Sequence, residues 1–598
     1  MHPREIVYFI FSHCGLDSPL GVRGKVWEKR KNEMHPREIV IISLLIFLFA
    51  YIPGNSQKQY FYPVKYKIRL SGFFGELRKN HFHSGIDIKS SGSYELNKVY
   101  SIDEGYISRI RVGPDGYGKA VYIDHPDGIT SVYAHLKHFS KKLEAIVKKI
   151  QYESQSYSIN PDSLKIPVKK GEFIGQIGNT GRSFGPHLHF ELRNTETEHP
   201  LNPFVFGIKP RDRRPPRLLN LKIVALDTAF NELNSKIYHL QKSKYGNYIP
   251  KPFTIKYGAW RVGIEVSGFD RMNNAPNKNG IYKMSMKVDG KEVFGFKMDS
   301  LDFDNMRSIN SFIDYKTFVR SKARFIRLYK LPGNDLNILN DTLNSIINLY
   351  KDKSQKIEII AQDFEGNKSK LIFKIKRDTA IKEPEPKLFN DIIKFGQQKQ
   401  IGTLDYTLFF DRNDLFKDLY IFSNIEYDSI ENYSGKVKVF TNYDPFKSHV
   451  DLFIRPLKID SFADKMTIVK IEDDKKINYG SDIKGDRLHT IIDTWGIYKI
   501  DLDTIAPVIK PVKFGANLEK IKSISFRIKD NFEVAGLASG LKYDGYIDDK
   551  WVLFEYDKKK DIIKHRFEKK LRKGQHRLKI IVEDDKGNKT IFKSKFNK

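Results

Sequence analysis

The sequence predicts a mainly β protein, in which an antiparallel-sheet domain precedes immunoglobulin-like β-sandwich domains. Short segments that alternate apolar and polar residues, such as 105–112 and 120–124, are separated by glycine-rich turns, which is typical of antiparallel strands. Beyond a proline-containing linker at 211–216, short strands and polar turns continue without a long helical period. The 598 residues include 40% hydrophobic and 13% aromatic side chains, which is enough for about three to five domains with buried cores.

The chain begins with a seven-residue segment that occurs twice, at 1–7 and at 34–40. Only the second copy leads into an apolar run, at 39–52, which is followed by small and polar residues. This layout is typical of a secretory signal peptide, and the run is short for a membrane span. We therefore predict a spurious or duplicated extension at 1–33 and a signal peptide at 34–56, with an uncleaved membrane anchor as the alternative.

Cysteine usage agrees with export. The single cysteine, Cys14, precedes the predicted signal peptide, so the mature chain would have no thiol for disulfide chemistry. No cysteine follows the apolar run, which argues against a lipoprotein. The expected location is the periplasm or the cell envelope, with membrane contact only through an uncleaved leader.

The net charge of +30 invites comparison with nucleic-acid-binding proteins. Lysine is spread along the whole chain, however, without a basic helix or a nucleic-acid-binding motif. A general attraction to anionic envelope polymers explains the charge, and we expect no nucleic-acid partner.

Histidine is concentrated in one part of the chain. Eight of the 16 histidines lie between His81 and His199, and three short segments stand out at 83–87, 133–136 and 187–191. A catalytic zinc site takes three imidazole or carboxylate ligands and keeps a fourth position for water, whereas structural sites more often use cysteine. The pattern predicts a catalytic metal site.

The residues of these segments fit such a site. On an extended strand alternate residues share a face, so His83 and Asp87 would point to one side. By the same argument His187 and His189 would point into one cleft. His83, Asp87 and His189 would supply three ligands. His187, together with His135, would then serve proton transfer and stabilise a developing oxyanion.

Several short motifs follow one another between residues 60 and 206. They are NHFHSGID at 80–87, GYG at 116–118 with VYIDH at 121–125, YAHL at 133–136, GEFIG at 171–175, GNTG at 178–181 and GPHLHFE at 185–191. In this order they resemble the lysostaphin-type, LytM-like zinc metallo-endopeptidases, which cut peptide cross-links in bacterial peptidoglycan. The resemblance covers about a quarter of the chain, and no expected metal or catalytic position is missing.

The resemblance implies a zinc peptidase domain at 57–208, with an antiparallel sheet of the duplicated hybrid motif type. It implies a secreted endopeptidase that acts on peptidoglycan stem peptides, at bonds between D-alanine and a diamino acid, during wall growth or cell separation. Two other functions stay open. A non-enzymatic envelope protein would bind peptidoglycan and activate an amidase, and a bacteriolytic enzyme would cut glycine bridges instead.

Position by position, the resemblance assigns one Zn2+ per chain to His83, Asp87 and His189. It makes His135 and His187 the catalytic pair beside the metal. One of the pair would accept the proton of the attacking water and pass it to the leaving amine, while the other donates a hydrogen bond to the oxyanion. The sequence does not assign these two roles, and we prefer His187 as the base.

Other features of this region are predicted to be structural. Apolar residues from Leu143 to Ile150 recur at helical spacing, which predicts an amphipathic helix over 140–151. The segment around this helix is longer than a minimal family member needs, and we hypothesise that 141–165 caps one end of the groove. The run at 178–181 is predicted to be a turn that shapes the substrate groove. Four further histidines are predicted to be ordinary surface or core residues: His81, His125, His138 and His199.

The rest of the chain is divided into three predicted regions. They are an immunoglobulin-like β-sandwich region at 209–380, a β-rich domain of uncertain type at 381–505 and a C-terminal immunoglobulin-like domain at 506–598. Two similar stretches, 357–368 and 578–589, end in the same D-x-x-G-N-K turn and are predicted to be terminal hairpins of related domains.

These downstream regions are predicted to be spacers or modules that bind envelope proteins. Strands are expected at 406–410 and 435–440. The aspartates lie at turns, where hydrogen bonding to the backbone accounts for them, so a calcium site at 584–585 is not favoured.

Overall fold

A computed structural model describes the chain from residue 59 onward, with short gaps. The described ranges are 59–273, 276–340, 345–351, 353–385, 389–427, 433–459, 461–473, 475–567 and 571–598. The predicted extension and signal peptide at 1–56 lie outside them. Within these ranges no helix is both long enough and apolar enough to cross a membrane. Tyr60–Lys598 belongs to one structural unit, and the predicted mainly β fold class is confirmed.

The region that contains the clustered histidines is built from antiparallel strands. They are β1 (Leu70–Gly72), β2 (Ile86–Lys89), β3 (Lys98–Tyr100), β4 (Gly105–Arg111), β5 (Ala120–Asp124), β6 (Ile129–Ala134), β7 (Leu136–Phe139), β8 (Ile166–Val168), β9 (Phe173–Ile177), β10 (His187–Asn194) and β11 (Pro200–Leu201). The main sheet has the order β1-β2-β10-β6-β5-β4-β8, with β11 beside β10, and β3, β9 and β7 form a second sheet. The strands predicted at 105–112 and 120–124 are confirmed as β4 and β5. Because β10 has neighbours on both edges, its side chains are buried and firmly placed.

The predicted helix is present as α1 (Lys141–Glu153). Leu143 and Val147 are 2% exposed and anchor its apolar face. The segment after α1 returns to β4, where Ile159 exchanges two backbone hydrogen bonds with Val112. That the segment caps the substrate groove stays a prediction.

The next region combines one large sheet with two short helices. Its strands are β12 (Arg217–Leu226), β13 (Glu232–Lys242), β14 (Tyr248–Pro250), β15 (Thr254–Tyr257), β16 (Arg261–Phe269), β17 (Lys283–Val288), β18 (Lys291–Lys297), β19 (Ile326–Arg327), β20 (Leu339–Asn340), β21 (Ile347–Asn348), β22 (Gln355–Gln362) and β23 (Lys368–Arg377). The helices are α2 (Ile309–Phe312) and α3 (Tyr315–Ser321), after a 3-10 turn at Met306–Ser308. The hairpin predicted at 357–368 is confirmed, since β22 pairs with β23.

This region and the preceding one share a single buried apolar cluster, which runs from Tyr60 to Ile375. The ring of Phe204 contacts both Phe73 and Phe364, with centroids 5.4 and 5.5 Å apart. The linker at 211–216 therefore joins two regions that pack as one body. The domain boundary at 208–209 stays a prediction.

Residues 391–502 form two sheets around their own core. The strands are β24 (Asp391–Ile393), β25 (Lys399–Gly402), β26 (Tyr406–Phe410), β27 (Leu419–Glu426), β28 (Lys436–Thr441), β29 (Val450–Ile454), β30 (Met466–Glu472), β31 (Lys475–Asn478), β32 (Asp482–Lys484), β33 (Arg487–Ile492) and β34 (Gly496–Leu502). A 3-10 turn lies at Ala463–Lys465. The strands predicted at 406–410 and 435–440 are confirmed as β26 and β28.

The C-terminal domain also has its own core, between two four-stranded sheets. Its strands are β35 (Val508–Lys513), β36 (Ser523–Lys529), β37 (Glu533–Val534), β38 (Lys542–Ile547), β39 (Lys550–Trp551), β40 (Glu555–Asp557), β41 (Ile562–Arg566), β42 (Gln575–Glu583) and β43 (Lys589–Asn597). β37 is the exception, because it joins the sheet of the preceding domain. The predicted terminal hairpin is confirmed as β42 paired with β43.

Candidate metal centre

Two neighbouring strands and the loop before them bring the predicted ligands together. β2 and β10 pair antiparallel, and His189 lies directly opposite Asp87 in the register. His83 precedes β2 and approaches Asp87 from the entering loop, so only Asp87 of this segment lies on the strand. A Cβ atom on Gly85 would lie 2.3 Å from the carbonyl oxygen of Phe190, so this loop needs glycine to come so close to β10.

Three donor atoms converge at this place. The Nε2 atom of His83, the Oδ1 atom of Asp87 and the Nδ1 atom of His189 lie 3.0 Å from one another in each pair. The three residues are 7%, 8% and 5% exposed. Nε2 of His187 lies 3.3 Å from the same oxygen of Asp87. Such a group matches one small cation with three protein ligands.

Hydrogen bonds on the far sides of the two imidazoles show which ring nitrogens carry protons. Nδ1 of His83 lies 2.7 Å from the carbonyl oxygen of Phe73, and Nε2 of His189 lies 2.6 Å from Oε1 of Glu191. Carbonyl and carboxylate oxygens only accept, so these nitrogens are the donors, and the inward nitrogens of neutral rings carry lone pairs.

With both rings neutral, two lone pairs and a carboxylate oxygen would therefore face one another with no proton between them. Buried acceptors in this arrangement are unfavourable unless a cation lies among them. Two imidazoles and one carboxylate form a donor set that zinc accepts readily, so the residues present fit the metal that the resemblance implies.

The electrostatics of the ligands agree with a site for a cation. Burial raises the pKa of Asp87, but the charge of His83 and hydrogen bonds from His187 and His189 outweigh it and hold the pKa well below its usual range. Burial lowers the pKa of His189, but hydrogen bonds with Asp87 and Glu191 raise it to about 9. Without a metal, His189 thus keeps a proton that a bound cation would displace.

Glu191 supports the site and was not assigned by the sequence analysis. It is fully buried, and its Oε1 atom accepts hydrogen bonds from Ser84, Tyr117 and His189. Its Oε2 atom accepts from Arg193. A carboxylate behind a metal-binding imidazole sets the tautomer and orientation of the ring. The available signal was its position two residues after His189, on the same face of the strand.

We expect Glu191→Gln to weaken zinc binding about 10- to 100-fold, because the amide is a weaker partner for the donor nitrogen of His189. Competition titration against a chromophoric chelator measures this. Glu198→Gln is the matched control, since Glu198 contacts the same Arg193 without reaching His189. Equal zinc affinity in the two variants would contradict a supporting role for Glu191.

His135 and His187 lie beside the donor group, with their ring centroids 4.9 Å apart. Nδ1 of His135 donates to the carbonyl oxygen of Thr180 at 2.9 Å, and Nδ1 of His187 donates to that of Gly185 at 2.8 Å. One turn, between β9 and β10, thus orients both rings. Burial, followed by the charges of His189 and His187, lowers the pKa of His135 to about 3, so this ring is neutral.

The four other histidines of the region lie outside the donor group. Their polar partners are Lys79 for His81, Glu104 for His125, Tyr94 for His138 and Asp302 for His199. That these four are ordinary surface or core residues stays a prediction.

A basic cleft lies next to the turn that orients His135 and His187. It has a volume of about 460 Å³, and residues 179–181 line it together with strands of the C-terminal domain. Six cationic side chains border it: Lys119, Lys137, Lys513, Lys560, Lys564 and Arg566. Only part of this charge is offset, by Glu555 and Asp557. The cleft therefore presents a net positive surface beside the site.

The C-terminal domain contacts the same turn directly. Nζ of Lys559 donates to the carbonyl oxygens of Asn179 and Ser183, at 2.5 and 3.1 Å. Oγ of Ser183 in turn lies 3.3 Å from Nδ1 of His187. The turn that positions the two histidines is thus held by the C-terminal domain.

Comparisons with known proteins agree with this geometry. The profile of peptidase family M23 matches residues 81–203, and the profile of the Zu5-like domain matches 390–503. The DD-carboxypeptidase/endopeptidase Mpg of Neisseria meningitidis is 41% identical over 140 residues, which cover 23% of this chain and 26% of that protein. The peptidoglycan DD-endopeptidase ShyA of Vibrio cholerae is 31% identical over 144 residues, which cover 23% of this chain and 28% of that protein.

A solved structure is similar to part of the chain. The catalytic domain of the antimicrobial peptidase lysostaphin from Staphylococcus simulans is 22% identical, covers 23% of this chain and 91% of its own, and has a TM-score of 0.18. The chain spans about a quarter of the length of the curated relatives it matches. With its profile match at 81–203 and these relatives, the chain carries a domain of peptidase family M23, the lysostaphin-type family.

Proposed function

We propose that this chain is a zinc-dependent endopeptidase that hydrolyses peptide cross-links of bacterial peptidoglycan. The observation that carries the proposal is the convergence of the donor atoms of His83, Asp87 and His189 beside two further oriented histidines. Held by these residues, zinc would supply Lewis acidity and bring the pKa of a water toward neutrality. The names of the Neisseria and Vibrio relatives support the substrate class, because both describe endopeptidases.

We assign the transfer of the water proton to His187. Its Nδ1 atom is engaged with Gly185, so the neutral ring presents a lone pair at Nε2. That atom lies 3.3 Å from Asp87, whose negative charge would stabilise the imidazolium formed when the ring accepts a proton. The imidazolium can then protonate the leaving amine.

His135 has a different part in this proposal. Its Nδ1 atom donates to Thr180, so its Nε2 atom accepts hydrogen bonds in the neutral ring. The low pKa disfavours an imidazolium at this position. This geometry favours His135 as an acceptor that orients the attacking water, rather than as the donor to an oxyanion.

The basic cleft supports an anionic substrate. Stem peptides carry free carboxylates beside the bond between D-alanine and a diamino acid, and a positive cleft with protein walls concentrates such groups near the site. Burial, with the charge of Arg566, lowers the pKa of Lys564, which indicates crowded cations that an anion would relieve. We propose that the bound stem peptide extends into this cleft.

We expect the double variant Lys564→Glu/Arg566→Glu to raise KM for a carboxylate-bearing stem-peptide dimer about tenfold, with kcat little changed, because the cleft then repels the substrate. Steady-state kinetics at low and high salt measure this, and the difference should shrink at high salt. Lys593→Glu/Lys595→Glu, at two exposed positions of β43, is the control for total charge. Equal KM values in all three proteins would contradict the assignment of the cleft.

We also propose that the leader at 34–56 exports the protein to the periplasm or envelope, and that the downstream sandwich regions serve as spacers or bind envelope proteins. The expected partners are peptidoglycan stem peptides, and no nucleic acid.

The test of the proposed function is zinc content and muropeptide release by the chain from residue 57 onward, on intact cross-linked peptidoglycan. One zinc per chain with new monomeric muropeptides is the expected result. Zinc binding without cleavage, combined with stimulation of a purified amidase, would favour the non-enzymatic activator instead. If the protein cleaves only peptidoglycan that has glycine bridges, the result would favour the bacteriolytic enzyme.

A further inference from the structure

Three buried carboxylates meet at one end of the sandwich region that follows the peptidase domain. Asp212 lies in the linker before β12, Asp270 follows β16, and Asp363 follows β22. One oxygen of each lies within 4.8 Å of the others, and the residues are 7%, 3% and 3% exposed. Three segments that are distant in sequence thus bring like charges together away from solvent.

The carboxylates are only partly satisfied by the protein. Oδ1 of Asp212 accepts from the backbone N–H groups of Arg213 and Asn273, at 2.8 and 3.0 Å, whereas its buried Oδ2 atom has no hydrogen-bond partner. Asp270 accepts from the backbone of Arg271 at 2.9 Å. Asp363 accepts from the backbone and side chain of Asn367, at 2.8 and 2.7 Å.

The described part of the protein places no basic side chain against this group. Of the residues that the structure describes, no lysine or arginine nitrogen comes within 4.0 Å of Asp212, Asp270 or Asp363. Burial raises the pKa of Asp270 to about 7, and the charges of Asp363 and Asp212 add to the shift. The charges of Asp212 and Asp363 therefore make Asp270 less stable as an anion.

A neutral oxygen lies on the same side of the sheet. Asn279 and Asp270 exchange two backbone hydrogen bonds, at 2.9 and 2.8 Å, as directly opposed residues of an antiparallel pair. Such residues project their side chains to one face. Asn279 is 4% exposed, and its buried Oδ1 atom has no partner. Two orphaned oxygens, one on Asp212 and one on Asn279, thus accompany the three carboxylates.

We propose that Asp212, Asp270 and Asp363 bind one calcium ion, with Asn279 as a neutral oxygen ligand. The donors are all oxygen, which hard divalent cations prefer, and they come from separate segments with no fixed octahedral frame, which suits calcium better than magnesium. This site is separate from the zinc centre and does not depend on the proposed peptidase activity.

The C-terminal domain offers an internal comparison. Its D-x-x-G-N-K turn places Asp584 where the first turn has Asp363, and Asp503 precedes β35 as Asp212 precedes β12. In the C-terminal turn, Lys586 occupies the position that Glu365 has in the first turn. Burial lowers the pKa of Lys586, and the charges of Asp585 and Asp503 oppose this shift. The positive charge of Lys586 interacts with Asp503 and makes a second cation less favourable there, so we expect that group not to need calcium.

A bound ion would fasten the linker to the end of the sandwich region. Arg211 and Arg213 are exposed on either side of Asp212, so trypsin has cleavage sites where the ion would hold the chain. Occupation of the site should therefore slow cleavage of the linker.

The test titrates calcium chloride into the zinc-loaded chain, without chelators, by calorimetry and thermal unfolding. We expect one calcium per chain with a dissociation constant of about 10⁻⁴ to 10⁻³ M or tighter, a higher unfolding temperature and slower tryptic cleavage of the linker. Asp270→Asn should bind calcium at least about tenfold more weakly, because it removes one charged ligand. Asp503→Asn, the matched change in the C-terminal domain, should bind like the wild type.

Three results would overturn the proposal: no calcium response in the wild-type chain, an equal response in Asp270→Asn, or an equal response of the wild type to magnesium. The calcium titration of the wild-type chain tests the proposal even if a variant folds poorly. In metal-free buffer Asp270→Asn should unfold at the same or a higher temperature, since one repelling charge is gone, and this result separates loss of a ligand from damage to the fold.

Discussion

Replacement of His189 by alanine is expected to abolish stoichiometric zinc binding and to reduce peptide hydrolysis to background. The change removes one of three donor atoms and leaves Asp87 and Glu191 without their shared imidazole, so the remaining two ligands cannot hold the metal in an open catalytic site. Metal content by mass spectrometry and muropeptide release by chromatography measure the two effects on the same sample.

The matched control is His239→Ala, because His239 is an exposed histidine whose Nδ1 atom lies 2.6 Å from Oδ1 of Asn220 on β12, away from the donor group. This variant should keep one zinc and full activity. A His189→Ala protein that retained both would show that the metal, if required, lies elsewhere. A protein that lost activity but kept zinc would show that His189 acts in the reaction and not as a ligand.

Replacement of His187 by alanine is expected to lower kcat by about 10² to 10⁴ while zinc stays bound. The factor is the usual contribution of a positioned proton acceptor. The Nε2 atom of His187 lies near Asp87, but the three converging donor atoms belong to His83, Asp87 and His189. Zinc binding should therefore not require His187. The measurement is kcat together with zinc content, and loss of zinc in step with activity would make His187 a ligand instead.

His135 gives the comparison that separates the two roles. Its pKa of about 3 keeps the ring neutral throughout the working pH range, so His135→Asn should lower kcat without moving the acid limb of the pH profile. His187→Ala should change the shape of that limb, because the proton acceptor itself is lost. If His135→Asn shifted the limb and His187→Ala did not, the two assignments would be reversed.

The sequence predicted which residues would gather at the candidate metal centre. His187 and His189 alternate along one strand, and local spacing carries that information, whereas His83 reaches Asp87 from the loop before β2. The strands at 105–112, 120–124 and 406–410 and the helix at 140–151 were likewise predictable, since each has its own period. In the same way, the repeated D-x-x-G-N-K turns predicted two hairpins.

The sequence did not show how the ligands are supported. Glu191 sits two residues after His189, yet its partners Ser84, Tyr117 and Arg193 come from different strands and loops. Which nitrogen of His83 faces the metal depends on a carbonyl ten residues earlier, at Phe73. Such contacts arise only when separate segments pack, and no local pattern records them.

The sequence by itself thus predicted a candidate donor set for a metal and determined the strand-rich architecture, because these follow from residue type and short-range periodicity. Only the tertiary structure decided that the M23 domain and the following region share one core from Tyr60 to Ile375. It alone placed Lys559 of the C-terminal domain on the turn beside His187, and it alone gathered Asp212, Asp270 and Asp363. The reason is physical: proximity between distant segments is set by how whole sheets bury their apolar faces against one another, and charges that end up together are consequences of that packing.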